Sequence, residues 1–254
     1  MLRKLKQAQQ KFSVIAAYDA SFTEAINRAA IDAILVGDSL GMVIQGHSST
    51  LPVTMDDLLY HTRAVARSNE RCDDGALIIA DLPFMSYQNS QLALENAAHL
   101  MRAGANMVKL EGGAWLSDTI RQLVECGIPV CGHLGLIPQS VNQLGGFKVQ
   151  GKTEQQQTQL LSDALALEEA GVDFIVLECI PTALAEDVTN KTQISTIGIG
   201  AGNVTDAQVL VSYDMLGLSD NPARFVKDFL SETQMSSGSL IEKAFSNYDQ
   251  AVKN

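Results

Sequence analysis

Short, continuous apolar runs alternate along this chain with longer amphipathic segments. Eight such runs occur, at residues 13–17, 33–37, 76–80, 107–110, 129–132, 174–177, 196–199 and 209–212. Each is too short for a helix and lacks the polar alternation of a strand with one wet face. Unbroken apolar runs of this length suit parallel strands covered on both sides.

The segments between them carry helix starts and stops. Thr54 precedes a stretch with Asp56 and Asp57 in the first turn, where the helix dipole favours acids. Ser21, with Glu24 three residues on, predicts a capping box, and Ser90, Ser117, Thr153 and Thr182 occupy equivalent starts. Gly104, Gly127 and Gly171 stand where helices should end before the next strand, a left-handed position that glycine fills best. Strand–helix units joined with the usual right-handed crossover, repeated through 254 residues, predict an α/β protein: a single-domain (β/α)8 TIM barrel over residues 1–254. An open doubly wound sheet is the alternative, disfavoured by length and strand count. Three segments exceed the minimal barrel. The first eleven residues predict an N-terminal helix and residues 237–254 an extra C-terminal helix. Residues 134–153 predict a long loop that covers the substrate.

Composition narrows the function. Hydrophobic residues make up 46% and charged residues 19%, a globular balance, and no apolar run approaches a membrane span. The basic start lacks the apolar stretch of a secretory signal. Cys72, Cys126, Cys131 and Cys179 form no CxxC pair, and Cys131 and Cys179 lie in apolar, strand-like runs. Reduced thiols and a cytoplasmic location are expected. A net charge of −11, with no basic cluster beyond the first eleven residues, argues against nucleic acid. An anionic substrate would then need local attraction, from a metal or one specific cation.

Barrel chemistry sits at the C-terminal ends of the strands. Those positions read Tyr18 and Asp19, Asp38 and Ser39, Asp81, Lys109 and Glu111, His133, Glu178, Gly200 and Asp214. So many carboxylates in one mouth repel one another and call for a compensating cation. One histidine and no cysteine among them make zinc a poor fit, whereas oxygen donors with an incomplete protein shell suit Mg²⁺. Asp38 and Asp81 have a lesser alternative as helix caps or turn carboxylates, and Glu111 could equally be a solvated loop residue. Lys109 and Glu111, two apart on one strand, point the same way. Lys109 lies in a buried-type run, so it could clamp an anion or form a Schiff base, which would make a metal-free aldolase. Glu178 leaves its strand between apolar neighbours, a partly desolvated setting that suits a general base. His133 could touch ligand or be structural. The glycines of Gly198-Ile-Gly-Ala-Gly202 could bind phosphate or simply permit close packing.

At these residues the chain resembles the ketopantoate hydroxymethyltransferase family. The likeness runs through Ala17-Tyr-Asp19, Leu35-Val-Gly-Asp-Ser-Leu-Gly-Met42, Asp81-Leu-Pro-Phe84 and Val108-Lys-Leu-Glu-Gly-Gly113. It continues through Gly132-His-Leu-Gly-Leu136, Pro138-Gln-Ser-Val-Asn142, Leu177-Glu-Cys179 and Ile197-Gly-Ile-Gly-Ala-Gly202. The resemblance implies a (β/α)8 barrel that transfers a hydroxymethyl group from 5,10-methylenetetrahydrofolate to 3-methyl-2-oxobutanoate. The product would be 2-dehydropantoate, for pantothenate biosynthesis. It also implies Mg²⁺ held by Asp38 and Asp81 with Glu111 in its shell, substrate bound by Asp38, Ser39, Asp81, Lys109 and His133, and Glu178 as the base for the C3 proton. The partners implied are the α-keto acid and the folate, with a homo-oligomer, a decamer, expected. Two positions depart from the family pattern. Ala207 stands where glycine is usual, a strained turn if that site needs a positive φ, and Lys152 stands where arginine is common.

Overall fold

The computed structural model describes residues 6–219, 222–233 and 239–254. All eight expected runs are strands, with ends shifted by at most three residues. They are β1 (Phe12–Ala16), β2 (Ala33–Val36), β3 (Leu77–Asp81), β4 (Met107–Glu111), β5 (Val130–Gly135), β6 (Phe174–Glu178), β7 (Ser195–Ile199) and β8 (Ala207–Val211). Each pairs in parallel with the next, and β8 pairs with β1, closing a (β/α)8 barrel. The main helices are α1 (Ala20–Arg28), α2 (Met55–Asn69), α3 (Ser90–Arg102), α4 (Ser117–Glu125), α5 (Glu154–Ala170), α6 (Thr182–Lys191) and α7 (Leu240–Lys253).

The covered-on-both-faces pattern has a direct structural cause: the barrel wall separates two hydrophobic clusters. Inside lie Phe12, Val14, Ala33, Ile79, Met107, Cys131, Phe174, Val176, Ile197, Ala207 and Val209. Outside, Ile34, Ile78, Val108, Val130, Ile175 and Leu177 pack against the helices. Side chains alternate along a strand, so the parity of the inner cluster decides what the mouth receives. Ile79 is followed inward by Asp81, Met107 by Lys109 and Glu111, Cys131 by His133, and Phe174 and Val176 by Glu178. Apolar layers at the bottom and ionisable groups at the top belong to the same inward-facing rows.

The helix ends follow local hydrogen bonding. Thr54 caps α2 in a full capping box with Asp57, and Thr153 does the same for α5 with Gln156. Gly104, Gly127 and Gly171 all take positive φ at helix ends. Ser21 does not cap α1. Asp19 does, its carboxylate accepting from the Ser21 and Phe22 amides, because the acid sits one residue before the first helical turn. Asn89 likewise takes the role ahead of Ser90. Ser117 and Thr182 are the first residues of their helices, with no side-chain cap before them.

The expected strand–helix alternation fails once. Residues 200–206 join β7 to β8 without a helix. The C-terminal helix α7 packs against β1 and α1, and the Tyr248 hydroxyl donates to the carbonyls of Val14 (3.0 Å) and Gln208 (2.8 Å). A cavity of about 480 Å³ opens between α7, the ends of β7 and β8 and residues 225–229, touching Ile199, Phe225, Tyr248 and Val252; none of the mouth carboxylates lines it. Residues 1–5 of the expected N-terminal helix, and residues 237–238 of the C-terminal segment, lie outside the described residues; Lys6 and Gln7 are helical. Ala207 sits in β8, fully buried and absent from the positive-φ positions, so the turn strain expected there does not arise. All four cysteines are unpaired, and Cys179 lies just past β6 with φ of 48°, not inside the strand.

Candidate active site

The C-terminal ends of β2 to β6 bring together Asp38, Asp81, Lys109, Glu111, His133 and Glu178. All but Glu178 are nearly inaccessible to solvent. Pairing in register explains the proximity: Asp81 is opposite Lys109, and Glu111 opposite His133. Lys109 Nζ lies 3.1 Å from Asp81 Oδ1 and 3.6 Å from Glu111 Oε1. His133 forms a bridge, its Nδ1 3.1 Å from Glu111 Oε1 and its Nε2 3.3 Å from Glu178 Oε2. Asp38 lies just beyond β2, where its backbone amide donates to Asp81 Oδ2 at 3.0 Å. Ser39 Oγ shares a 2.8 Å hydrogen bond with the buried Tyr18 hydroxyl. Gly135, at φ of 95°, lets the chain pass over Glu178, since a Cβ there would collide with the Glu178 carbonyl oxygen.

The expected acidic ring is therefore smaller and more ordered than sequence implied. Asp19 is a helix cap, and Asp214 accepts from the Ser219 hydroxyl. Among the described residues neither shares a hydrogen bond with the cluster. Lys109 and Glu111 do point the same way, as a buried rather than a surface ion pair. Glu111 is no solvated loop residue.

Charge is unequally shared. Burial raises the Asp38 pKa well above the carboxylate range, and repulsion from Asp81 and Glu111 adds to it. Burial also raises Asp81, although Lys109 opposes it. Glu111 is instead lowered: burial acts against ionisation, but His133 and Lys109 outweigh it. For His133, burial and Lys109 pull down, yet Glu111 and Glu178 lift it to about 9, so the imidazolium form persists at neutral pH. Burial pulls the Lys109 pKa down, but Asp81, Glu111 and Asp38 drive it above the ordinary value. A Schiff base requires the free amine, so this setting favours the clamp over the nucleophile.

The donor set fits a small, hard cation better than any soft metal. It offers oxygen ligands, with Asp38 lacking any cationic partner of its own among the described residues. No group of three or more His, Cys, Asp or Glu side chains forms a ready-made cage among those residues. Glu111 shows why. Oε1 faces His133 and Lys109, and Oε2 accepts from the Gln139 amide at 3.0 Å. Asp81 is engaged as well, Oδ1 by Lys109 at 3.1 Å and Oδ2 by the Asp38 amide at 3.0 Å. Among the described residues, Asp38 Oδ1 is the carboxylate oxygen of the three left without such a partner, and an ion here would draw largely on water and substrate oxygens.

Two groups in the site escaped sequence reasoning. Gln139 Nε2 donates to Asp38 Oδ2 (2.8 Å) and to the Leu82 carbonyl (3.0 Å), while Tyr87 donates its hydroxyl to Gln139 Oε1 at 2.5 Å. Gln139 is uncharged and lies 101 positions from Asp38. Only its place in the loop after β5 pointed toward the mouth.

Comparison with known proteins bears on this geometry. The sequence model of the ketopantoate hydroxymethyltransferase family matches residues 1–254. A 3-methyl-2-oxobutanoate hydroxymethyltransferase from Cronobacter sakazakii is 57% identical over 232 residues, covering 91% of this chain and 86% of that protein. The protein of that name from Pectobacterium carotovorum is 54% identical over 253 residues, covering 99% and 92%. Solved structures share the barrel at low identity. A phosphonopyruvate hydrolase in complex with oxalate and Mg²⁺ gives a TM-score of 0.63 at 13% identity, covering 83% of this chain and 78% of that one. A 2,3-dimethylmalate lyase gives 0.61 at 15%, covering 85% and 80%. At such identity these two speak for the fold alone.

Proposed function

Because the chain belongs to the ketopantoate hydroxymethyltransferase family, we propose that its acidic barrel mouth is the site where the substrate's C3 proton is removed and the new carbon–carbon bond forms. The chain is an enzyme that transfers a hydroxymethyl group to 3-methyl-2-oxobutanoate, toward pantothenate. One observation carries the assignment of roles: His133 bridges Glu111, on the buried side, to Glu178, the one cluster member with appreciable side-chain exposure, 16%.

Asp38 and Asp81 would hold Mg²⁺, as the family resemblance implies, with Glu111 acting through water. When bound, Mg²⁺ supplies Lewis-acid stabilisation of negative charge on the keto oxygen. Lys109, kept protonated, attracts the substrate carboxylate against the protein's net charge of −11. Ser39, fixed by Tyr18, offers a hydroxyl beside the same anion. Glu178 accepts the C3 proton, and the imidazolium of His133 holds its carboxylate in place. Water adds to the methylene carbon of 5,10-methylenetetrahydrofolate, the expected donor, and its two C–N bonds break to release tetrahydrofolate and formaldehyde. The C3 nucleophile adds to the formaldehyde carbon, and the resulting alkoxide takes a proton to give 2-dehydropantoate. The loop from residue 136 to 150 would close over the mouth. A cytoplasmic location agrees with the four unpaired cysteines. A homo-oligomer, a decamer as in the family, would cover exposed apolar side chains such as Trp115 and Phe84.

The test is product formation by the purified protein from the keto acid and the folate donor. EDTA should abolish it and Mg²⁺ restore it. Turnover indifferent to EDTA would remove the metal from the mechanism.

A further inference from the structure

The loop after β5 starts and returns at one point. The Leu136 amide donates to the Glu178 carbonyl at 2.8 Å, and the Gln150 amide donates to the Cys179 carbonyl at 2.9 Å. Between these anchors the chain enters the mouth with a single-turn helix, Pro138–Ser140, whose central residue, Gln139, is only 6% exposed. Gln139 uses every polar group of its side chain there. Its amide nitrogen meets two acceptors, Asp38 Oδ2 and the Leu82 carbonyl, and its amide oxygen meets the Tyr87 hydroxyl. Those partners fix which end of the amide points where. Its backbone amide holds Glu111 Oε2. Among the described residues, Gln139 makes the only hydrogen bond to the Asp38 carboxylate.

We propose that Gln139 is a positioning residue: it locks Asp38 Oδ2 and Glu111 Oε2, leaving Asp38 Oδ1 aimed at the cation, and so ties the metal carboxylates to the loop anchored on Glu178. This rests on the metal reading above. Tyr87 supports it at one remove, by holding the amide in the donating orientation. A hydrogen bond from a neutral amide orients the Asp38 carboxylate while leaving its charge for the cation, in contrast to Asp81, whose charge Lys109 partly offsets at 3.1 Å. The loop that covers the substrate and the carboxylates that bind the ion then form one mechanical unit.

The test uses Mn²⁺ as the probe, titrated into the full-length protein without substrate and followed by electron paramagnetic resonance. Gln139→Met keeps the side chain's length and removes its donor, and Tyr87→Phe removes only a hydroxyl. Gln139→Met should weaken Mn²⁺ binding on the order of 10- to 100-fold and change the line shape of the bound ion. Tyr87→Phe should weaken it in the same direction by less. In turnover, the Mg²⁺ concentration for half activation should rise in both variants while kcat at saturating Mg²⁺ falls much less. Mn²⁺ affinity unchanged in both variants overturns the role of Gln139 and leaves the metal site standing. If Gln139→Met does not fold, Tyr87→Phe decides alone. Wild-type protein that takes up no Mn²⁺, or Asp81→Asn that binds it like wild type, overturns the metal reading and this proposal with it.

Discussion

Replacing Lys109 with methionine probes how the mouth balances its charge. The substitution keeps most of the side-chain volume and deletes the ammonium, leaving Asp81 and Glu111 without a cation they held at 3.1 and 3.6 Å. The Lys109 and Asp81 side chains are only 4% and 3% exposed, so water screens little of the loss. Breaking a buried pair by removing one partner typically costs about 3–5 kcal/mol. At roughly 2–4 °C per kcal/mol for a chain of this size, the melting temperature should fall by roughly 6–20 °C.

The pH dependence has a definite sign. Asp38 and Asp81 already have folded pKa values above their unfolded ones, so each contributes a penalty that grows as pH rises through that window. Without Lys109 both should rise further, so protonation relieves the strain below the raised pKa values and the penalty grows above them. In thermal melts with EDTA present, the gap between variant and wild type should be wider at about pH 8 than at about pH 6. A variant that melts with wild type at the higher pH, or a gap that narrows as pH rises, would refute the reasoning.

Three further outcomes follow from the same geometry. Borohydride added with 3-methyl-2-oxobutanoate should leave activity intact, because Lys109 is held protonated; irreversible inactivation with label on Lys109 would restore the Schiff-base alternative. Ala207→Gly should not raise turnover, since Ala207 is a buried strand residue, and should cost about 1–2 kcal/mol from the lost methyl group and the looser backbone. A rise in activity at unchanged melting temperature would show that the alanine does constrain the site. In limited proteolysis, cleavage near the exposed Phe147 and Val149 should slow when Mg²⁺ and the keto acid are present; equal rates with and without them would count against closure of the loop.

The barrel was legible because its strands are covered on both faces, which leaves unbroken apolar runs, and because their number and the chain length favour a closed barrel over an open doubly wound sheet. The mouth was legible for a related reason: the last inward-facing residue of each row no longer meets apolar neighbours, and a charged residue there stands out against the run it ends. Asp81, Lys109 and Glu178 announce themselves in this way, whereas Glu111 read equally well as a solvated loop residue and His133 as a structural one. Capping was legible only in part, because Ser21 and Ser90 follow better-placed Asp19 and Asn89, and local spacing does not rank adjacent candidates. The helix-free passage from β7 to β8 was implicit in the short gap between the expected runs 196–199 and 209–212, too short for a helix with its two junctions, although the alternation was read as regular there. Gln139 was the least legible. An amide carries no charge to flag it, and its partners Asp38, Tyr87 and Glu111 come together only when the barrel closes.

Proton removal by Glu178 is the claim on which the assignment of roles turns. Exchange of deuterium into C3 of 3-methyl-2-oxobutanoate, followed by NMR with Mg²⁺ present and no folate, isolates that step from bond formation. The native protein should catalyse exchange, and Glu178→Gln should lose nearly all of it while still binding Mn²⁺. Exchange at the native rate in Glu178→Gln would contradict the role of Glu178 and return the search for the base to the other groups of the mouth.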